Sequence, residues 1–153
     1  MKIRFWLNGI PAEREVRPDE TLLETLRGMG IHSVRTGCET GNCGICTVWA
    51  DETPVLSCAY PAARAEGRRI TTVEGVREEA APLMEALAAE GADQCGYCAP
   101  GFLMTVLAML RDESVRTQAE AEAYLAGCLC RCTGYQSRMR AILKVMDETR
   151  RDR

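Results

Sequence analysis

The chain of 153 residues has a net charge of −3, nine cysteines and only 5% aromatic residues. This mixed charge and scarcity of rings indicate no nucleic-acid partner. The longest apolar run, residues 102–110, is about half a bilayer span, and residues 1–9 lack the apolar segment of a signal peptide. We therefore expect a cytoplasmic chain without membrane insertion, in which a reducing compartment leaves the cysteines available as metal ligands.

The cysteines fall into two groups, at residues 38–58 and 95–132. This distribution predicts two halves, a domain over residues 1–75 and a second over residues 76–153, joined by a polar connector over residues 76–81. Each half is near the lower size limit for an independent hydrophobic core. Bonds from cysteines to metal would then supply part of the folding free energy.

The first half opens with the signals of a β-hairpin followed by a helix. Residues 2–7 alternate apolar and polar side chains, which predicts a half-buried strand. Asn8-Gly9 favours a tight turn, and residues 12–17 are the predicted returning strand. A helix is expected from Thr21, where Glu24 completes a capping box. This order is typical of a β-grasp ferredoxin-like domain.

The remaining elements follow from the apolar periodicity. Three short strands are predicted in the rest of the first half, over residues 47–50, 54–57 and 69–73. Four helices are predicted in the second half, over residues 82–90, 100–111, 118–125 and 135–149. The second of these is apolar nearly all round, which predicts a central buried helix, and the tail, residues 150–153, is expected to be frayed and solvated.

The first cysteine motif is Gly-Cys-Glu-Thr-Gly-Asn-Cys-Gly-Ile-Cys at residues 37–46. Its spacings, with a fourth cysteine at Cys58, match the plant-type [2Fe–2S] pattern. The glycines allow a loop to turn its backbone N–H groups towards a small anionic cluster. The candidate ligands are Cys38, Cys43, Cys46 and Cys58.

The second motif, Gly-Cys-Leu-Cys-Arg-Cys-Thr-Gly-Tyr at residues 127–135, contains alternating cysteines. In extended backbone, Cys130 and Cys132 lie on one face and suit two ligands of one inorganic centre. Cys95-Gly-Tyr-Cys98 supplies a second pair, so we interpret these four cysteines as one cluster site. Zinc bound by four thiolates is an alternative, whereas the single histidine excludes a Rieske centre.

These motifs together resemble the iron–sulfur subunit of molybdenum hydroxylases, the relatives of xanthine dehydrogenase and aldehyde oxidoreductase. The similar stretches are residues 37–46, Gln-Cys-Gly-Tyr-Cys-Ala-Pro-Gly at 94–101, and Cys-Arg-Cys-Thr-Gly-Tyr at 130–135. The resemblance extends from residue 2 to about residue 145. It implies an α+β chain, with a plant-type ferredoxin-like β-grasp domain followed by a four-helix [2Fe–2S]-binding domain.

The resemblance also implies an electron path and partners. A large molybdopterin-binding subunit oxidises the substrate, and electrons pass to the C-terminal cluster and then to the N-terminal cluster. An FAD-binding medium subunit, or another acceptor, receives them. In the family, the residues that match Gln94 and Cys132 lie against the pterin, so we expect the same contacts here.

One departure from the family pattern is Cys128, where asparagine is usual. It places a third thiol beside the inner cluster, as a spare ligand, a redox-sensitive group or a buried small apolar residue. Arg131 lies between two expected ligands and either tunes that cluster or forms an ordinary salt bridge.

No catalytic acid, base or nucleophile is evident in the sequence. We therefore expect a non-catalytic electron-transfer subunit of an oxidoreductase complex, in which the cofactors carry the chemistry. The alternatives are a stand-alone two-cluster electron carrier and a zinc-bound interaction module. The substrate site would lie on another chain.

Overall fold

The computed structural model describes residues 1–151 as an α+β fold. Its strands are β1 (Lys2–Leu7), β2 (Ile10–Glu15), β3 (Thr47–Ala50), β4 (Thr53–Leu56) and β5 (Arg69–Thr71). Its helices are α1 (Leu22–Gly28), α2 (Arg77–Ala89), α3 (Ala99–Arg111), α4 (Gln118–Tyr124) and α5 (Gln136–Arg151). Within this part of the chain, no helix is both long and apolar enough to cross a bilayer. Of the predicted tail, residues 150 and 151 belong to α5, and residues 152–153 lie outside the described residues.

The five strands form one mixed sheet in the order β2-β1-β5-β3-β4. The β1–β2 hairpin closes with Leu7 opposite Ile10, and both Asn8 and Gly9 have positive φ, as a tight hairpin turn requires. β1 and β5 are parallel, whereas the other neighbours are antiparallel. Apolar residues of the sheet and α1 form the first core, which includes Ile3, Phe5, Leu22, Leu26 and Ile70. This arrangement confirms the predicted β-grasp domain.

The predicted capping box at the start of α1 is present. The Glu24 backbone N–H donates to the Thr21 hydroxyl oxygen over 3.2 Å, and the Thr21 N–H donates to the Glu24 carboxylate over 2.8 Å. Two otherwise unpaired helix donors are satisfied in this way. The strand bounds differ from the predictions by one or two residues, at β2, β4 and β5.

The polar connector predicted over residues 76–81 is wrong. A 3₁₀ turn, Val73–Val76, leads directly into α2, which begins at Arg77 and contains Pro82. Pro82 suggested a helix start because proline is favoured in the first turn. Here, Ala80 and Leu83 are each 1% exposed, and their burial extends the helix upstream despite the hydrogen bond that proline removes.

Helices α2–α5 enclose the second core, as the four-helix prediction expected. Helix α3 lies at its centre, and its buried side chains include Phe102, Met104, Val106 and Met109. This confirms the prediction of a central buried helix. The assignment of a domain boundary to residues 75–76 stays a prediction, because strand residue Trp49 packs in the core of the helical half.

Trp49 fastens the two halves together. Its indole N–H donates to the Met104 carbonyl over 2.8 Å, and the Arg111 guanidinium lies 4.2 Å from the ring centroid. Arg111 also donates to both carboxylate oxygens of Glu79, at 2.9 and 2.6 Å. One aromatic side chain of β3 therefore joins the sheet to α3, with a cation–π contact on its face.

The loop that precedes β3 meets the helical half backbone to backbone. A Cβ atom at Gly101 would lie 2.5 Å from the Gly44 carbonyl oxygen, and one at Gly44 would lie 2.5 Å from the Gly127 carbonyl oxygen. In addition, the Leu129 N–H donates to the Cys43 carbonyl over 2.9 Å. Only glycine, which has no Cβ atom, permits the two backbones to approach so closely. This contact sets the distance between the loop and the helices.

Gly101→Ala is expected to destabilise the chain, although alanine usually stabilises a helix relative to glycine. Overpacking against backbone that cannot retreat typically costs about 1–3 kcal/mol. Thermal melting followed by circular dichroism should show a lower Tm.

The matched control is Gly127→Ala, because nothing lies within 4 Å of a Cβ at that position. This variant should melt near the wild-type temperature. An unchanged or raised Tm for Gly101→Ala would contradict the close-approach account.

Candidate metal centres

Four cysteines converge beside the sheet and are named the N-terminal thiol group: Cys38, Cys43, Cys46 and Cys58. The first three lie in the loop before β3, and the fourth lies in a 3₁₀ turn directly after β4. Pairing of Thr47 with Leu56 brings the start of β3 beside the end of β4. The Cys43 thiol helps to lower the pKa of Cys38, and the Cys46 thiol helps to raise the pKa of Cys58, so the four thiols lie as two neighbouring pairs.

The loop favours the thiolate form of Cys38. Its sulfur accepts hydrogen bonds from the backbone N–H groups of Thr40 and Asn42, at 3.5 and 3.4 Å, which lower the pKa of Cys38 to about 6. Burial acts in the opposite direction, raising the pKa of Cys58 to about 11 and that of Cys43 above its ordinary value. The N-terminal thiol group therefore has a hydrogen-bonded edge at Cys38, where a thiolate is favoured, and a more buried side at Cys43.

A second set of four cysteines is named the C-terminal thiol group: Cys95, Cys98, Cys130 and Cys132. The first pair lies in the turn between α2 and α3, and the second lies in the loop between α4 and α5. The sulfur atoms of Cys95 and Cys132 are 3.5 Å apart, and Cys98 and Cys130 form a second contacting pair. The structure thus brings together the two short motifs that the sequence predicted to form one site.

Hydrogen bonds also polarise the C-terminal thiol group. Burial tends to raise the pKa of Cys130, but bonds that include one from the Thr133 hydroxyl, at 3.3 Å, lower it to about 7. A backbone hydrogen bond from Tyr97 lowers the pKa of Cys95. The Tyr135 hydroxyl accepts from the Cys130 N–H over 2.8 Å and so fixes the loop.

The two thiol groups differ in accessibility. Cys43 and Cys46 are buried, whereas Cys95 and Cys132 are exposed, as is Gln94. The two residues expected to contact a pterin therefore lie on the open side of the C-terminal thiol group. Large side chains around it are also exposed, by 41–49%: Tyr97, Leu129 and Tyr135.

The chain also ties the two cysteine loops to each other. Arg35, three residues before Cys38, donates to the carbonyl oxygens of Gly96 and Tyr97 at 2.7 and 3.0 Å. The Tyr97 hydroxyl donates back to the Thr36 carbonyl over 2.9 Å. These bonds span the two halves, so each loop restricts the other.

Cys128 belongs to neither thiol group. It is 7% exposed, and burial raises the pKa of its thiol. With Cys43 and Cys98 it lines a narrow gap between the two groups that leaves no room for a water molecule. Its burial agrees with the interpretation as a small apolar residue.

Sequence reasoning missed Arg138. It singled out Arg131, which is exposed, whereas Arg138 is 4% exposed. The signal was present, because Arg138 begins a run of buried positions at helical spacing. The later members of that run are Ala141, Ile142, Val145 and Met146.

The donor arrangement fits a diiron cluster better than a single metal ion. Each thiol group consists of two pairs of neighbouring thiols. A [2Fe–2S] cluster uses four cysteine thiolates, and two pairs suit two irons.

Comparison with known proteins gives two domain matches. Residues 5–71 match the family described as 2Fe-2S iron-sulfur cluster binding domain, and residues 72–143 match the [2Fe-2S] binding domain family. The chain is 44% identical over 145 residues to the xanthine dehydrogenase iron-sulfur-binding subunit of Escherichia coli O157:H7, covering 92% of this chain and 91% of that one. It is 41% identical over 136 residues to the nicotinate dehydrogenase small FeS subunit of Eubacterium barkeri, covering 87% of each.

Solved structures show the same fold. Quinoline 2-oxidoreductase from Pseudomonas putida 86 superposes with a TM-score of 0.90 at 36% identity, covering 99% of this chain and 96% of that chain. Aldehyde oxidoreductase from Desulfovibrio gigas superposes with a TM-score of 0.89 at 31% identity, covering 100% of this chain and 18% of that one. With both [2Fe–2S] domains matched in this order, the chain belongs to the iron–sulfur subunit family of the molybdenum hydroxylases, the relatives of xanthine dehydrogenase.

Proposed function

We propose that this chain is the electron-transfer subunit of a molybdenum-dependent hydroxylase or dehydrogenase complex. In this proposal electrons leave molybdopterin on a large partner subunit, reach the C-terminal centre first and the N-terminal centre second, and then pass to an FAD-binding subunit or another acceptor. The observation that carries the proposal is the pair of four-thiol groups, fixed on either side of one dry interface.

The proposed ligands are the members of the two thiol groups. Cys38, Cys43, Cys46 and Cys58 hold the cluster distal to molybdenum; Cys95, Cys98, Cys130 and Cys132 hold the proximal one. The contacting thiol pairs and the N–H and O–H donors to sulfur support this assignment. The domain matches support a [2Fe–2S] cluster in each half.

Bound clusters would supply one-electron transfer. The chain supplies hydrogen bonds to the ligand sulfurs and a buried environment. Backbone N–H groups of Thr40 and Asn42 donate to the Cys38 sulfur and stabilise negative charge there. Burial of Cys43, Cys46 and Cys98 keeps water from the inner side of each group. In this proposal the chain positions the clusters and shields them from water, and the substrate site lies on the large partner subunit.

The open side of the C-terminal thiol group is the proposed contact with the large subunit. Gln94 and Cys132 are exposed there and are the proposed pterin contacts. The exposed rings of Tyr97 and Tyr135 suit a surface that a permanent partner covers. A reducing, cytoplasmic location is part of the proposal, because it would keep the cysteines out of disulfides and available as cluster ligands.

A stand-alone electron carrier is the second candidate. It would need an N-terminal domain that exposes its cluster to varied partners, and Cys38 and Cys58 are indeed partly exposed. The exposed apolar surface at the other group favours the permanent complex instead. Isolation of the chain from its native source distinguishes the two functions.

Co-purification tests the proposed function directly. A tag on the native chain should retain a large subunit that contains molybdenum, measured by mass spectrometry and metal analysis. Isolation of only the small chain, with both clusters intact, would favour the stand-alone carrier.

Alanine substitution tests the ligand assignment. Cys46→Ala and Cys98→Ala should each lower the iron content from about four to about two per chain. Each substitution removes a ligand of one of the two expected [2Fe–2S] clusters. Iron analysis and the visible spectrum measure this loss. Cys128→Ala is the matched control and should keep the full iron content; its loss of iron would contradict the assignment.

Gln94→Ala tests the pterin contact separately. The variant should keep its iron, since the Gln94 side chain belongs to neither thiol group. Turnover of the complex should fall on the order of fivefold, which corresponds to about 1 kcal/mol for one lost hydrogen bond. The control is Gln118→Ala, an exposed glutamine on α4 whose amide donates to Glu122. Equal turnover in the two variants would exclude a role for Gln94.

A further inference from the structure

Arg138 is a buried cation that the ligand assignment leaves unexplained. It lies in the first turn of α5 and is 4% exposed. Its Nη2 donates to the Cys98 sulfur over 3.2 Å, and its Nε lies 3.4 Å from the Ala92 carbonyl oxygen. The guanidinium carbon is 4.3 Å from the centroid of the Phe102 ring.

In the part of the chain that the structure describes, no carboxylate forms an ion pair with this side chain. Among residues 1–151, no acidic oxygen lies within 4.0 Å of an Arg138 nitrogen. Glu122 lines the same groove as Arg138 but forms no ion pair with it. Burial of an unpaired charge is strongly unfavourable unless an opposite charge lies nearby. The partner that the structure offers is the sulfur of Cys98, a proposed cluster ligand.

The charge of Arg138 is only weakly screened by solvent. With Cys43, Cys98 and Cys128 it lines the gap between the thiol groups, which admits no water. Interactions between charges are weakened least where water and salt are excluded. The guanidinium therefore acts on the C-terminal site through low-dielectric protein, from the side that faces the N-terminal site.

We propose that the buried positive charge of Arg138 raises the reduction potential of the C-terminal cluster. The inference rests on the proposed function, since it requires a cluster on Cys98. Reduction adds one electron and one negative charge at the cluster, and no bond breaks. A fixed neighbouring cation stabilises the reduced form more than the oxidised form, as does a hydrogen bond to the ligand sulfur. Arg138 thus tunes the cluster through its charge and through its hydrogen bond to the Cys98 sulfur.

This role would make the C-terminal cluster a better acceptor of electrons from the molybdenum side than it would be without the charge of Arg138. The charge lies beside Cys98, and no contact joins Arg138 to a sulfur of the N-terminal thiol group within the described residues. One of the two potentials should therefore depend on Arg138 far more than the other.

The test is a redox titration of the complete complex, reduced stepwise with dithionite and followed by electron paramagnetic resonance. Arg138→Met removes the charge and the donor but keeps an unbranched, buried side chain. It should lower the reduction equilibrium constant of one cluster at least tenfold, about 59 mV for one electron. Arg138→Lys keeps the charge and should recover at least half of that shift.

Arg140→Met is the matched control, because Arg140 lies two residues further along α5, is exposed, and pairs with Glu90 at 2.8 Å. In the Arg140→Met complex, the reduction potentials of both clusters should equal those of the wild type. Iron content is measured on every variant, so loss of a cluster is separated from a change in its potential.

Two results would overturn the inference while leaving the proposed function intact. In the first, Arg138→Met keeps both wild-type potentials, with or without lower iron content, which would show a purely structural role. In the second, Arg138→Lys shifts the potential as far as Arg138→Met. A wild-type complex that shows fewer than two one-electron transitions would instead contradict the proposed function.

Discussion

The structure depends on the close backbone contact between the loop before β3 and the helical half. At Gly44 and Gly101 the two halves approach to a distance that no side chain allows. The Trp49 indole and the Leu129 N–H add hydrogen bonds across the same interface. Because both cysteine loops are built on this contact, their separation is set by backbone packed directly against backbone.

That fixed separation suits the electron-transfer role that we propose for the chain. Each half has a modest core and contributes four thiols from two segments. The thiols are polarised by N–H and O–H donors at Cys38 and Cys130 and are kept dry on their inner side. The outer side of the C-terminal thiol group, around Gln94, is left open. An insulated inner face and an open outer face are the features that a covered subunit of a larger complex needs.

Much of this could be predicted from the sequence, because spacing alone specifies short motifs. The hairpin and the Thr21 capping box are local patterns, and the structure confirms both. The cysteine motifs are also local patterns, and their assignment as cluster ligands stays a prediction. The start of α2 was predicted too late, since burial of Ala80 outweighed the local signal of Pro82. The packing of Trp49 into the opposite core and the contact of Arg138 with Cys98 join distant segments. No single-sequence period reports such contacts, although an arginine on a buried helical face was a usable sign.

Spin counting tests the central claim most directly, namely that one polypeptide binds two separate diiron clusters. The intact complex would be reduced fully with dithionite, and its iron–sulfur resonance signal would be integrated against a copper standard. The account predicts two unpaired spins per chain, one for each matched [2Fe–2S] domain. A single spin, or none, in protein with full cysteine and iron content would contradict it.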